Sequence, residues 1–162
     1  MRSDLFQITY PSCFTNSCCS HPLWDIPGER VEENALGVRR AAQRRLELEL
    51  GISSKLVQPE DFHLISRFHY KDKGDGVWGE HEVTYILFLK GDFKIDINEN
   101  EIDEVRYMSL DNFDSFLSTK VPMTPWFDIL SKNHIKYWWV NLHRLENIAD
   151  HKSIYRFQES LN

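Results

Sequence analysis

The sequence is poor in cysteine, with 3 among 162 residues, and it lacks any spacing suited to a bridged framework. Cys13, Cys18 and Cys19 are odd in number, and neighbouring cysteines hardly bridge each other, so reduced thiols in a reducing compartment are expected. No run approaches the ~18 apolar residues that span a bilayer, and Met1–Gln7 lacks the apolar stretch of a secretory signal. An intracellular, soluble, cytoplasmic protein is the expectation; the peroxisome is the alternative, although the ending Ser160-Leu161-Asn162 is not Ser-Lys-Leu. Positive charge is also short: the net charge is −6 and the pI about 5.6, which argues against a nucleic-acid or membrane-surface partner and for a small molecule. Repeats, low-complexity tracts and linkers are missing, so one domain over residues 1–162, acting as a monomer, is expected.

What is present is apolar enough for a core, with 41% hydrophobic and 13% aromatic residues. A strand fragment is expected around Gln7–Tyr10. Ala35, Val38, Ala42, Leu46 and Leu50 recur at three- and four-residue steps and predict a helix over residues 31–50, closed by Gly51. Its Arg39, Arg40, Arg44 and Arg45 read as a solvated face, with Arg45 and Glu49 as an i,i+4 pair. Residues 63–70 and 83–89 read as strands about a turn at Lys73–Gly76. A short strand at 105–108, a helix at 110–117 capped by Ser109, and one long helix from Thr124-Pro125 to about Leu145 complete an α+β order.

Two stretches carry the chemistry. Thr15-Asn16-Ser17-Cys18-Cys19-Ser20-His21-Pro22 packs two thiols and an imidazole together. In extended backbone Cys19 and His21 share a face, where an imidazole or a metal would lower the thiol's pKa. From spacing alone, a reactive thiol with a metal-binding histidine and an inert buried cysteine with a structural histidine both remain open. A zinc finger is excluded for want of a second Cys/His pair. In Trp78-Gly79-Glu80-His81-Glu82 the two carboxylates converge on one strand face while His81 points away. Like charges so placed raise one pKa unless a cation neutralises them, which suits either a general acid or a metal pair.

Arg44-Arg45-Leu46-Glu47-Leu48-Glu49-Leu50-Gly51-Ile52 echoes the Nudix box, G-x5-E-x7-R-E-U-x-E-E-x-G-U. Arg44, Leu46, Glu49, Gly51 and Ile52 agree, whereas Arg45 and Leu48 stand where the box has glutamates. Taken with the Cys/His stretch, Ala35–Leu46, Trp78–Glu82, Thr124-Pro125-Trp126-Phe127 and Lys136-Tyr137-Trp138-Trp139, the chain closely resembles the eukaryotic type I isopentenyl-diphosphate Δ-isomerases. The resemblance implies a Nudix-like mixed sheet packed between helices and interconversion of isopentenyl and dimethylallyl diphosphate. An isolated alkene is a very weak base, so that reaction needs a desolvated acid on one side of the substrate and a base on the other.

By this resemblance Cys19 and Glu82 move the protons, Tyr70 assists, and the π face of Trp126 shields the tertiary cation. His21, Glu80 and Glu82 would hold a divalent metal (Zn²⁺, Mn²⁺ or Mg²⁺). Glu49 would hold the Mg²⁺ that bridges to the diphosphate, and Ser20 and Arg2 would contact substrate. The family also has two metal-binding histidines and a substrate lysine upstream of anything in this chain, and neither His63 nor His69 takes those places. Ser3 and Gln7 stand where it has a basic pair, with Arg2 the nearest cation, and Ser12 replaces a glycine. The expectation is therefore an N-terminally incomplete domain lacking its first strand. Alternatives are a catalytically impaired binding variant of the same fold and, further off, a Nudix diphosphate hydrolase.

Overall fold

The computed structural model describes residues 1–3 and 9–157. Its frame is a long antiparallel hairpin of β2 (Phe62–Asp72) and β3 (Glu80–Leu89). β5 (Tyr155–Arg156) adds in parallel along β2, giving a mixed sheet of order β3-β2-β5. A separate two-stranded ribbon pairs β1 (Arg2–Ser3) with β4 (Ile102–Glu104). Of the strand expected around Gln7–Tyr10, residues 7 and 8 lie outside the described residues, and Thr9 and Tyr10 form a bend rather than a strand.

Alternation along β3 feeds two cores. Leu87 and Leu89 pack with Leu46, Leu50, Ile52, Val57 and Phe62 against α1 (Leu36–Leu50). Ile86 and Phe88 point the other way, to a cluster of Ile65, Phe68, Leu130, Trp138 and Leu145. That second cluster brings in α3 (Pro125–Asn133), α4 (Ile135–Val140) and α5 (Leu145–Ile148), and α2 (Leu110–Ser118) precedes them in the chain. The hairpin thus lies between helices, an α+β arrangement as expected.

Three boundaries differ from the sequence expectation. α1 begins at Leu36 because Asn34 and Ala35 adopt left-handed backbone, with φ of 51° and 55°, which no run of L-residues propagates as a helix. The long C-terminal helix is broken at His134 and again at Asn141. Asn133 and Asn141 turn their amides onto the carbonyls of Ile129 and Tyr137, which competes with the helical ladder. β4 lies at Ile102–Glu104 rather than at 105–108, since Ile102, 1% exposed, is the apolar anchor opposite Ser3. Gly51 does close α1, at φ 65°. The last carbonyls of the helix, Glu49 and Leu50, accept from Asn98 and Asp96 at 3.0 and 2.9 Å.

Candidate active site

The thiol loop is sewn to the start of α3. Phe14 donates to the carbonyl of Pro122 and accepts from the amide of Thr124. The buried hydroxyl of Thr124 donates to Thr15 Oγ1 at 3.0 Å. This stitching places Trp126, the second residue of α3, beside the loop. Its Nε1 donates to Asn16 Oδ1 at 3.0 Å, while Asn16 Nδ2 donates to the carbonyl of Cys18. One amide side chain therefore ties the thiol segment to the indole. Nothing local in the sequence signals this role of Asn16, since its partner lies 110 residues away.

Beyond Asn16 the side chains diverge. Cys18 packs against the α1 core, whereas Cys19 faces the carboxylates. All three cysteines are free thiols. Burial pushes the Cys19 thiol up to about 12, and the negative charges of Glu82, Glu80 and Glu49 add to the effect. The expectation that His21 would lower this pKa is thus reversed: the imidazole bonds to a carboxylate instead, and the thiol is left among anions. His21 Nε2 meets Glu82 Oε2 at 2.9 Å.

Glu80 and Glu82 open β3, opposite Asp72 and Tyr70 on β2. Their shared face and the outward turn of His81, which meets His69 at 2.9 Å, follow the expected alternation. The two carboxylates are driven apart in acidity. Hydrogen bonds from His21 and then Thr84 hold Glu82 below the usual carboxylate range despite its burial. Burial and the neighbouring Glu82 push Glu80 up to about 7. Tyr70, 1% exposed, stands across from Glu82 with its ring centroid 5.8 Å from that of Trp126. Trp78 does not join them: it is 56% exposed at the hairpin turn.

Glu49 lies near the end of α1 and is 2% exposed. Arg45 Nε donates to its Oε1 at 2.7 Å, and Arg45 also reaches Glu101 at 3.0 Å. The Oε2 atom of Glu49 is buried without a hydrogen-bond partner, and so is Ser20 Oγ. Burial pushes the Glu49 carboxyl up to about 7, against the pull of Arg45. The four arginines of α1 are half-buried, and Arg40, Arg44 and Arg45 are engaged, correcting the solvated face expected of them; Arg39 Nε is buried without a hydrogen-bond partner. Arg40 donates to the carbonyl of Gly28 at 3.0 Å, and Arg44 grips the buried Glu29.

Cys19, His21, Glu80, Glu82, Tyr70 and Trp126 are therefore brought to one neighbourhood. Arg2 is engaged elsewhere: its guanidinium pairs with Asp103 and Glu104 at 3.4 and 3.5 Å. Among the described residues no group of three or more His, Cys, Asp or Glu side chains is gathered so as to hold a metal ion. The expected ligands His21 and Glu82 are hydrogen-bonded to each other instead. Tyr10 sets its ring 5.3 Å from that of Trp126, with its hydroxyl buried beside Tyr70.

Residues 14–127 match the NUDIX domain family. The chain is 47% identical over 159 residues to isopentenyl-diphosphate Delta-isomerase 1 of Mesocricetus auratus, a match covering 96% of this chain and 69% of that protein. The chain belongs to the isopentenyl-diphosphate Delta-isomerase family. Similarity within that family extends to isopentenyl-diphosphate Delta-isomerase 1 of Bos taurus, 44% identical over the same shares of both chains. The isopentenyl-diphosphate Delta-isomerase of Dictyostelium discoideum is 41% identical over 153 residues, which is 90% of this chain and 64% of that one. No helix among the described residues is long and apolar enough to cross a membrane.

Proposed function

We propose that this chain interconverts isopentenyl and dimethylallyl diphosphate by protonation and deprotonation. The observation that carries the reading is the meeting of the thiol loop with the β3 carboxylates through the 2.9 Å bond between His21 and Glu82. It sets a thiol that keeps its proton near a carboxylate that has lost one. In the forward direction Cys19 gives its proton to the terminal alkene carbon, forming a C–H bond and a tertiary cation at the adjacent carbon. Glu82 then takes a proton from the carbon on the diphosphate side, and its C–H electrons form the new double bond. In the reverse direction the roles exchange. Trp126, fixed by Asn16, presents a π system toward the charge, and Tyr70 assists the proton transfer from its buried place beside it.

The two expected metal sites differ in what their residues offer a cation. At Glu49 the buried, unpartnered Oε2 suits a cation, and so Glu49 would hold Mg²⁺. His21, Glu80 and Glu82 supply one imidazole and two carboxylates, a donor set that suits Zn²⁺, Mn²⁺ or Mg²⁺ once the bond between His21 and Glu82 opens. When bound, such ions neutralise the diphosphate and the clustered carboxylates. Ser20, with its buried free hydroxyl, would contact substrate. The protein would act as a cytoplasmic monomer on this small diphosphate. A Nudix hydrolase is disfavoured, because Arg45 stands where that chemistry wants a glutamate and its guanidinium occupies one oxygen of Glu49.

The test supplies the purified chain with Mg²⁺ and isopentenyl diphosphate and follows both dimethylallyl diphosphate and released phosphate. Isomer without phosphate is expected. Phosphate release would establish the hydrolase, and a folded protein giving neither product would establish the impaired binding variant. Cys19→Ser and Glu82→Gln are each expected to lower turnover by about 10²–10⁴-fold with the circular dichroism spectrum unchanged; full turnover in either would remove its assigned role.

A further inference from the structure

The turn His21-Pro22-Leu23 carries His21 to Glu82, yet Pro22 has no N–H with which to hold it. The backbone groups on either side of that proline, the carbonyl of His21 and the amide of Leu23, are bound by one ion pair from outside the turn. Arg44 Nη2 donates to the carbonyl of His21 at 3.2 Å. The amide of Leu23 donates to Glu29 Oε2 at 2.8 Å. Arg44 and Glu29 are joined twice, Nε to Oε1 at 2.6 Å and Nη2 to Oε2 at 3.0 Å.

Glu29 is itself gripped by the helix that carries Arg44. It is 5% exposed, and a Cβ on Gly37, in the first turn of α1, would come within 2.2 Å of its carbonyl oxygen. Only glycine permits so close an approach, and it leaves the Glu29 backbone little room to shift. The amide of Gly37 adds a 2.7 Å bond to the carbonyl of Val31. A buried ion pair is a weak source of net stability, because desolvation offsets much of its attraction, whereas loss of one partner is strongly felt. Its value here is geometric: a planar guanidinium and a carboxylate in fixed bidentate register make a rigid bracket.

We infer that Glu29 and Arg44 are positioning residues, a latch that holds the His21-Pro22-Leu23 turn on α1 so that His21 and Cys19 meet Glu82. Neither side chain touches the reacting atoms; both act through the turn. The inference rests on the isomerase reading for its kinetic consequence, while the geometry of the turn is independent of it. Misplacement of a catalytic group by about 1 Å costs on the order of a hundredfold in rate.

The test uses the full chain with Glu29→Gln and Arg44→Lys. Glutamine keeps the shape of Glu29 and removes its charge. Lysine keeps a charge for Glu29 and cannot also reach the carbonyl of His21 in register. Both are expected to lower kcat by about 10–100-fold while KM for isopentenyl diphosphate stays within about threefold, and Glu29→Asp is expected to recover part of the loss. A second readout needs no turnover: in metal-free protein the imidazole ¹H–¹⁵N signal of His21, bonded to Glu82 in the wild type, should move toward that of a free ring in both variants. If Glu29→Gln fails to fold, Arg44→Lys alone decides. Unchanged kcat and an unchanged His21 signal in a folded variant would overturn the latch. A wild type without isomerase turnover would instead remove the functional reading and leave the His21 signal to judge the latch.

Discussion

Two adjacent arginines on α1 each hold a buried glutamate, and the two pairs behave oppositely. Glu29 has both oxygens occupied, by Arg44 Nε at 2.6 Å, Arg44 Nη2 at 3.0 Å and the Leu23 amide at 2.8 Å. Glu49 has one oxygen on Arg45 and the other buried without a partner. Their ionisation differs as well. The Arg44 hydrogen bonds hold Glu29 below the usual carboxylate range, while burial pushes Glu49 up to about 7 in spite of Arg45. A guanidinium alone therefore does not fix the state of a buried carboxylate; the balance between desolvation and the donors that reach its oxygens does. The Glu29 pair is closed and holds a turn, and the Glu49 pair is open and suits a cation.

The largest expected difference is in stability. Glu29→Ala leaves the Leu23 amide without its acceptor and Arg44 with only the carbonyl of His21, and it should cost about 3 kcal/mol in urea unfolding at pH 7. Glu49→Ala also removes an oxygen that has no partner, and Arg45 keeps Glu101 at 3.0 Å. Its cost should stay near 1 kcal/mol. Equal costs would erase the distinction between a closed and an open pair.

A somewhat smaller effect sharpens the same contrast through ligand linkage. Mg²⁺ at a hundred times its dissociation constant should stabilise the wild type by about 2.7 kcal/mol. For a chain of this size that is a rise of roughly 5–10 °C in thermal midpoint. Glu49→Gln should lose most of that rise and Glu29→Gln should keep it, each measured against its own metal-free midpoint. A full Mg²⁺ response in Glu49→Gln would place the ion elsewhere.

Why one pair was legible in the sequence and the other was not is a matter of range. Arg45 and Glu49 are four apart on a helix and announce themselves by spacing. Glu29 and Arg44 are separated by a loop and a left-handed step at Asn34 and Ala35, so nothing local couples them. The same distinction runs through the fold. Strand alternation gave the β2–β3 hairpin and the convergence of Glu80 with Glu82, and Gly51 gave the end of α1. The breaks at His134 and Asn141 depend on side-chain amides choosing backbone carbonyls, which periodicity does not encode. The pKa of Cys19 is raised first by burial and then by the charges of Glu82, Glu80 and Glu49, which tertiary packing brings from distant parts of the chain.

The smallest expected effect concerns acid. The folded-state pKa of Glu29 lies below its unfolded value, which is near 4.3 for a glutamate. The unfolded chain therefore takes up a proton first as pH falls, so the stabilisation from this ionised carboxylate is complete at neutral pH, begins to fade near the unfolded pKa, and is gone below the folded one. Glu29→Gln has no such carboxylate to lose. The stability gap between wild type and Glu29→Gln should hold constant from pH 7 to about pH 5.5 and then narrow steadily toward pH 3. The acid limb of the variant will be shallower without being flat, because Glu104 and Asp150 are also held low, by Arg106 and by the backbone amide of Ser153 respectively. Urea midpoints across that range measure the gap directly. A gap that widened on acidification would mean that Glu29 is protonated more readily in the fold than out of it, and the closed pair would have to be redrawn as an open one like Glu49.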